Sequence, residues 1–247
     1  MPATTSDASS LTVVLVHGAF ADSSSWNGVI ERLQAAGVRV TAPANPLRGI
    51  AHDSAYLASY LEQIPGPVVA VGHSYGGAVI SNAGNAANVG GLVFVAAYAP
   101  EDGERLGEVE DGSKDSVLNS ALVPQHYPSA NGGEPAVEFA IDPAKFHEAF
   151  AADLPPEQSA VMAATQRPAA EGAFSEPNGP PAWKSTPSWA AVATADKAAG
   201  TDVIRSMAER AGATITLVDA SHVVMVSHPD VVADVIQIAA AATAPGT

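Results

Sequence analysis

The sequence predicts an α/β domain: a mostly parallel central sheet with helices on both faces. Three observations carry this. Strand-length apolar runs rich in valine recur along the chain. Several are continuous rather than alternating, as expected of strands buried on both faces of a parallel sheet. Stretches of helical period separate them, and that alternation builds such a sheet. One run then ends in Gly72-His73-Ser74-Tyr75-Gly76, a G-x-S-x-G pattern suited to a sharp strand-to-helix turn. Of the 247 residues, 47% are hydrophobic and 15% charged, enough apolar material for a large core and against disorder.

Taken in order, residues 1–10 read as a flexible tail. Residues 11–16 form the first strand, ending in His17-Gly18-Ala19-Phe20. Asp22 and the serines after it offer N-caps for a helix through Trp26, Val29, Ile30 and Leu33, stopped by Gly37. Residues 38–42 are the next strand, 43–50 a loop, and 52–64 a helix with Leu57, Tyr60, Leu61 and Ile64 on one face. The central strand and G-x-S-x-G turn follow, with a helix ending near Asn88. A side chain at Gly72 or Gly76 would collide with the neighbouring strand or helix. Residues 91–98 are another buried strand.

Alternation stops at Pro100. Residues 101–187 are acidic, Pro/Gly-rich and without a clear strand, with helical pieces over 143–153 and 156–165. They read as an insertion into a core of residues 11–100 and 188–243. Right-handed crossovers put all strand C-termini on one edge, so the insertion should lie over Ser74 as a lid. A strand at 189–196, a helix at 201–211, a strand at 214–219 and a terminal helix opened by Pro229 complete the core.

The chemistry follows from the turn. A serine needs a base to take its proton and an acid to orient that base. In this architecture they come in the chain order serine, acid, histidine. Asp196 directly follows a strand, and His222 comes just after the last one. His228, Asp219 and Asp202 are the rivals. His228 fits a capping role, and Asp202 sits in a first helical turn, where a carboxylate is favourable. The Tyr75 N–H and, after His17-Gly18, the Ala19 N–H are the candidate oxyanion donors, with Phe20 next in line. His17 and His73 fit structural roles. Phe20 and Trp183 are candidate substrate-binding side chains; Phe146, Phe150, Trp189 and Met162 could line the same pocket.

Other classes are disfavoured. With 11 Lys+Arg against 26 Asp+Glu, the net charge is −15, which argues against nucleic acid and anionic membranes. There are no cysteines, so thiolate catalysis, disulfides and Cys-based zinc sites are excluded. No metal-ligand spacing or nucleotide fingerprint appears, so no cofactor is expected. No run suits a membrane span. The polar N-terminus shows no leader pattern, which reads as cytoplasmic. A homodimer is allowed but not specified.

Val14-Leu15-Val16-His17-Gly18-Ala19-Phe20, Gly72-His73-Ser74-Tyr75-Gly76-Gly77, Asp196 and Ser221-His222 together resemble the α/β-hydrolase superfamily. The resemblance is to its small esterase-like branch, which includes plant methylesterases and hydroxynitrile lyases. It implies an α/β-hydrolase fold with a helical lid inserted after the sixth-strand equivalent. It also implies an oxyanion hole at Ala19 and Tyr75, and a histidine followed by a short apolar stretch and Pro229, which favours His222. Ala193-Thr194-Ala195-Asp196 departs from the Gly-x-x-Asp context frequent in the branch. Gly18 stands where hydroxynitrile lyases carry threonine, which disfavours cyanohydrin cleavage. The expected function is hydrolysis of small to medium carboxylic esters through an acyl-enzyme on Ser74. The rivals are lactone, C–C bond, lyase or perhydrolysis chemistry on the same residues, and a non-catalytic ligand-binding module.

Overall fold

The computed structural model describes residues 10–129 and 132–244. The tail expected over residues 1–10 lies outside them except for Ser10. Among the described residues the core strands are β1 (Thr12–Val16), β2 (Arg39–Thr41), β3 (Val68–His73) and β4 (Val89–Val95). The segment after β4 contains β5 (Leu122–Tyr127), β6 (Ala136–Ile141) and β7 (Ala169–Ala170); β8 (Ser188–Ala193) and β9 (Thr214–Val218) follow. Every residue of β1, β3 and β8 is buried, as their continuous apolar runs require. The edge strand β2 is half-buried.

The main sheet has the order β2-β1-β3-β4-β8-β9 and every neighbouring pair is parallel. The chain steps from β1 to β2, then crosses back over β1 to reach β3, so its winding reverses between β1 and β3. Right-handed crossovers place helix Asn27–Ala35 on one face, packed against the C-terminal helix Pro229–Thr243. Helix Ile50–Glu62 packs against helix Tyr75–Ala83 on the other. A reversal of this kind leaves a crevice at the carboxyl ends of the two strands where it occurs. Gly18-Ala19 after β1 and Ser74-Tyr75 after β3 border that crevice.

The helix after Ser74 ends at Ala83, earlier than the Asn88 expected from its apolar content. Gly84 caps it, and the Asn85 side chain turns back to donate to Asn82 O at 3.1 Å. The larger difference is in residues 101–187. The sequence pattern shows no strand there, but β5, β6 and β7 form an antiparallel three-stranded sheet. β5 reads LVPQHY and lies at an edge. Pro124 is tolerated at that edge, and the exposed polar residues erase the apolar signal by which a strand is recognised. Helices Pro143–Phe150 and Pro156–Thr165 form close to where helical spacing puts them. Ile141, Phe146 and Phe150 are buried as part of the main core. No described helix is long and apolar enough to cross a membrane.

The turn at Ser74 depends on backbone approach. A Cβ on Gly72 would lie 2.4 Å from Gly76 O, and one on Gly76 would lie 2.5 Å from Val16 O. The start of the following helix is also tied sideways. Asp53 is fully buried and accepts the Tyr75 hydroxyl at 2.8 Å and the Arg48 N–H at 3.0 Å. Burial, with Asp53 adding to it, pushes the Tyr75 phenol well above its ordinary value, so it remains a donor.

Gly72→Ala is expected to lower unfolding stability by about 3 kcal/mol in urea titrations, because backbone atoms cannot move aside for the methyl. Tyr75→Phe is expected to cost about 1–2 kcal/mol, since it withdraws a donor from a buried carboxylate.

Candidate functional site

Ser74 is the first residue after β3 and is nearly buried, at 7% exposure. Its backbone has φ 52° and ψ −123°, a conformation that L-residues rarely adopt and that costs about 1–3 kcal/mol. Its neighbours hold it there. The Ser74 N–H donates to Val95 O at 3.3 Å, and Ser74 O accepts from Gly77 N at 2.9 Å and Tyr98 N at 3.2 Å. The loop after β1 lies directly against it: a Cβ on Gly18 would sit 2.7 Å from Ser74 Cβ. The Ser74 hydroxyl makes no hydrogen bond to another described residue.

Two backbone donors face no acceptor among the described residues. Tyr75 opens a helix, so its N–H is free by construction. Ala19 N–H is likewise uncommitted. The next candidate, Phe20, is not: its N–H donates to Arg167 O at 3.1 Å.

His222 lies beyond β9 and Asp196 beyond β8, both at the C-terminal edge of the sheet. His222 Nδ1 is 2.7 Å from Asp196 Oδ2, with each side chain at most 1% exposed. Asp196 Oδ1 accepts from Ala198 N at 2.9 Å and Ala199 N at 3.0 Å. An ionised carboxylate can only accept, so His222 Nδ1 is the donor of this bond. The rivals lie elsewhere. His228 Nδ1 is 2.9 Å from Ser227 Oγ. Asp202 accepts from Ser113 Oγ at 2.7 Å and Lys114 N at 2.9 Å. Asp219 is exposed.

The two histidines beside the turn are braces. His17 Nε2 accepts from Asn45 N, and Nδ1 donates to Gly18 O, both at 2.9 Å. His73 Nε2 donates to His222 O at 3.1 Å, and the two rings are 4.7 Å apart. Burial lowers both histidines, His73 well below its ordinary value, so both are neutral near pH 7. The residue preceding Ser74 is therefore bonded to the backbone of His222.

Two contacts from residues 101–187 depend on how that segment packs; Phe150 is legible as an aromatic suited to the pocket, while Asp153 carries no sequence signal. The Phe150 ring lies 4.9 Å from the His222 ring and 6.2 Å from Phe20. Ser221 Oγ donates to Asp153. Burial pushes the Asp153 carboxyl up, but bonds from Ser221 and Ser227 outweigh this and hold it below its ordinary value. Phe20 also borders a pocket of about 190 Å³, shared with Val161, Met162, Gln158 and Val226. Trp183 is placed differently. The turn before it is bonded to the far end of helix Tyr75–Ala83, through Gly179 N to Asn82 Oδ1 at 2.8 Å. Its indole N–H donates to Pro100 O at 3.1 Å, with the Arg210 guanidinium 6.0 Å from the ring.

Solved structures similar to this one include a pyrethroid hydrolase at 23% identity and TM-score 0.74, covering 96% of this chain and 100% of that one. Polyneuridine aldehyde esterase is similar at 20% identity and TM-score 0.77, with 93% and 99% covered. A methylesterase from Arabidopsis is similar at 19% identity and TM-score 0.74, with 94% and 99% covered. At these identities the likeness establishes the fold. No curated protein matches the chain in sequence. The model of the alpha/beta hydrolase family matches residues 13–235, nearly the whole chain, and the protein belongs to that family.

Proposed function

We propose that the protein hydrolyses carboxylic esters of small to medium size through an acyl-enzyme. The observation that carries this is the buried His222–Asp196 pair at 2.7 Å, on the same sheet edge as a serine in a strained strand-to-helix turn. Ser74 Oγ attacks the acyl carbon, and His222 Nε2 takes its proton and passes it to the leaving alcohol. Asp196 holds the tautomer and stabilises the imidazolium. The free N–H groups of Ala19 and Tyr75 hold the oxyanion, at the positive end of the helix that Tyr75 opens. Water then releases the acid by the same route in reverse. Catalytic hydrogen bonds often close only around substrate, so the unengaged Ser74 hydroxyl is compatible with this sequence of steps.

Residues 101–187 act as the lid in this reading. Phe150 packs against the His222 ring, and Asp153 steadies Ser221 beside it. Phe20 and the pocket beside it receive one arm of the ester. The similar pyrethroid hydrolase, methylesterase and aldehyde esterase are each named for hydrolysis or esterase activity, which supports the reaction class but not a particular substrate.

Ser74→Ala is expected to lower kcat on p-nitrophenyl acetate by about 1,000-fold or more while the thermal melt stays intact. A fluorophosphonate should modify one peptide, that containing Ser74. Asp196→Asn is expected to lower kcat by a similar factor, about 1,000-fold or more, because the amide no longer enforces the Nδ1–H tautomer. Wild-type turnover in Ser74→Ala would remove the serine from the mechanism.

A further inference from the structure

Glu110 is a carboxyl that the proposed mechanism does not use, and it is 4% exposed. It lies in the last turn of the helix Leu106–Asp111 and points into a hydrogen-bonded group behind Asp196. Glu110 Oε2 accepts the Tyr98 hydroxyl at 3.2 Å. Glu110 Oε1 is 3.2 Å from Ser116 Oγ, and Ser116 Oγ is 2.5 Å from Ala198 O. The peptide that carries Ala198 O also carries the Ala199 N–H, which donates to Asp196 Oδ1 at 3.0 Å. Beside this chain, Val117 N donates to Lys197 O at 2.8 Å.

The protons of this group can be assigned. A serine hydroxyl has one proton and two lone pairs. The short bond to Ala198 O takes the Ser116 proton. Leu118 N donates to one lone pair of Ser116 Oγ at 3.2 Å. The other lone pair faces Glu110 Oε1, which fills it only if Glu110 itself supplies a hydrogen. The surroundings favour that form. Burial raises the Glu110 carboxyl to about 7, against smaller opposing effects from Tyr98, Ser116 and His222, with Asp111 on its own helix adding to the rise. Tyr98 keeps its proton, since burial and the nearby Glu110 and Asp196 raise it well above its ordinary value. The other charges nearby are engaged elsewhere: Asp115 accepts from Asp202 N at 3.1 Å, and Lys197 pairs with Glu148 at 3.5 Å.

We propose that Glu110 is a positioning residue for the Asp196–His222 pair, acting in its protonated form through Ser116 and the Ala198–Ala199 peptide. The role rests on the ester-hydrolase reading. Once ionised, Glu110 can only accept. It then draws the Ser116 proton away from Ala198 O, and the peptide that donates to Asp196 Oδ1 loses its anchor. Turnover should fall as pH rises through about 7. Gln is the informative replacement: its amide donates to Ser116 Oγ and accepts from Tyr98 as the protonated acid does, and it cannot ionise.

The test compares wild type with Glu110→Gln by kcat on p-nitrophenyl acetate and by Tm, across pH. The variant should hold its pH 7 kcat up to pH 8.5, while wild type loses about threefold or more. The folded state retains a proton that the unfolded chain releases near 4.5, so wild-type stability falls between pH 4.5 and about 7. The Tm advantage of the variant should therefore widen across that interval. An equal Tm offset at both ends would overturn the protonated state. A widening offset with parallel kcat profiles would overturn the positioning role and leave Glu110 structural. Failure of wild-type Ser74 to take a fluorophosphonate would bring down the hydrolase reading and the positioning role with it, while the Tm comparison still decides the proton.

Discussion

The close approach of one helix to two strands governs the rest of this structure. The helix that opens at Tyr75 comes so near β1 and β3 that neither Gly72 nor Gly76 has room for a methyl group. That approach forces the chain at Ser74 into a conformation with φ 52°. Beside it, Gly18 packs directly onto Ser74. A serine one residue earlier would lie in the β3 ladder, and one residue later in the helix. Only at this position is it both exposed to the crevice and held by backbone bonds from two directions.

Strain gathers at this edge. Among the described residues, the non-glycine residues at positive φ are Phe20, Leu47, Ser74 and Ala96, and they follow β1, β2, β3 and β4 respectively. Each is stabilised by packing: Phe20, Leu47 and Ala96 are at most 2% exposed. Conformations of this kind persist where the surroundings over-determine them. A rigid parallel sheet supplies that surrounding, and the buried polar pairs around it, Asp53–Tyr75 and His73 to the His222 backbone, fix the loops that leave it.

Most of this frame was legible in the sequence because its signals are local. Continuous valine-rich runs mark β1, β3 and β4, and G-x-S-x-G marks the turn. Asp196 and His222 were legible from their places just past strands, and they do form a pair. What stayed hidden depends on contacts remote in sequence. β5 carries Pro124 and a polar exposed face, so its strand character comes from pairing with β6 rather than from its own pattern. Asp153 and Glu110 look like ordinary members of an acidic, broken stretch until folding brings them against Ser221 and Tyr98. Trp183 suits a pocket by residue type, and its indole N–H is committed to Pro100 O, a contact remote in sequence.

The way residues 101–187 attach to the sheet has a consequence for how such proteins diverge. This segment does not simply rest on the core. It grips the Asp196 loop through Ser116 and Val117, and the His222 loop through Asp153. A foreign segment grafted between β4 and β8 would thus need to reproduce those three grips, or the acid and the histidine would lose register even with the sheet untouched. Exchange of this region between relatives is constrained at its seams, while its outward-facing surface is free to vary.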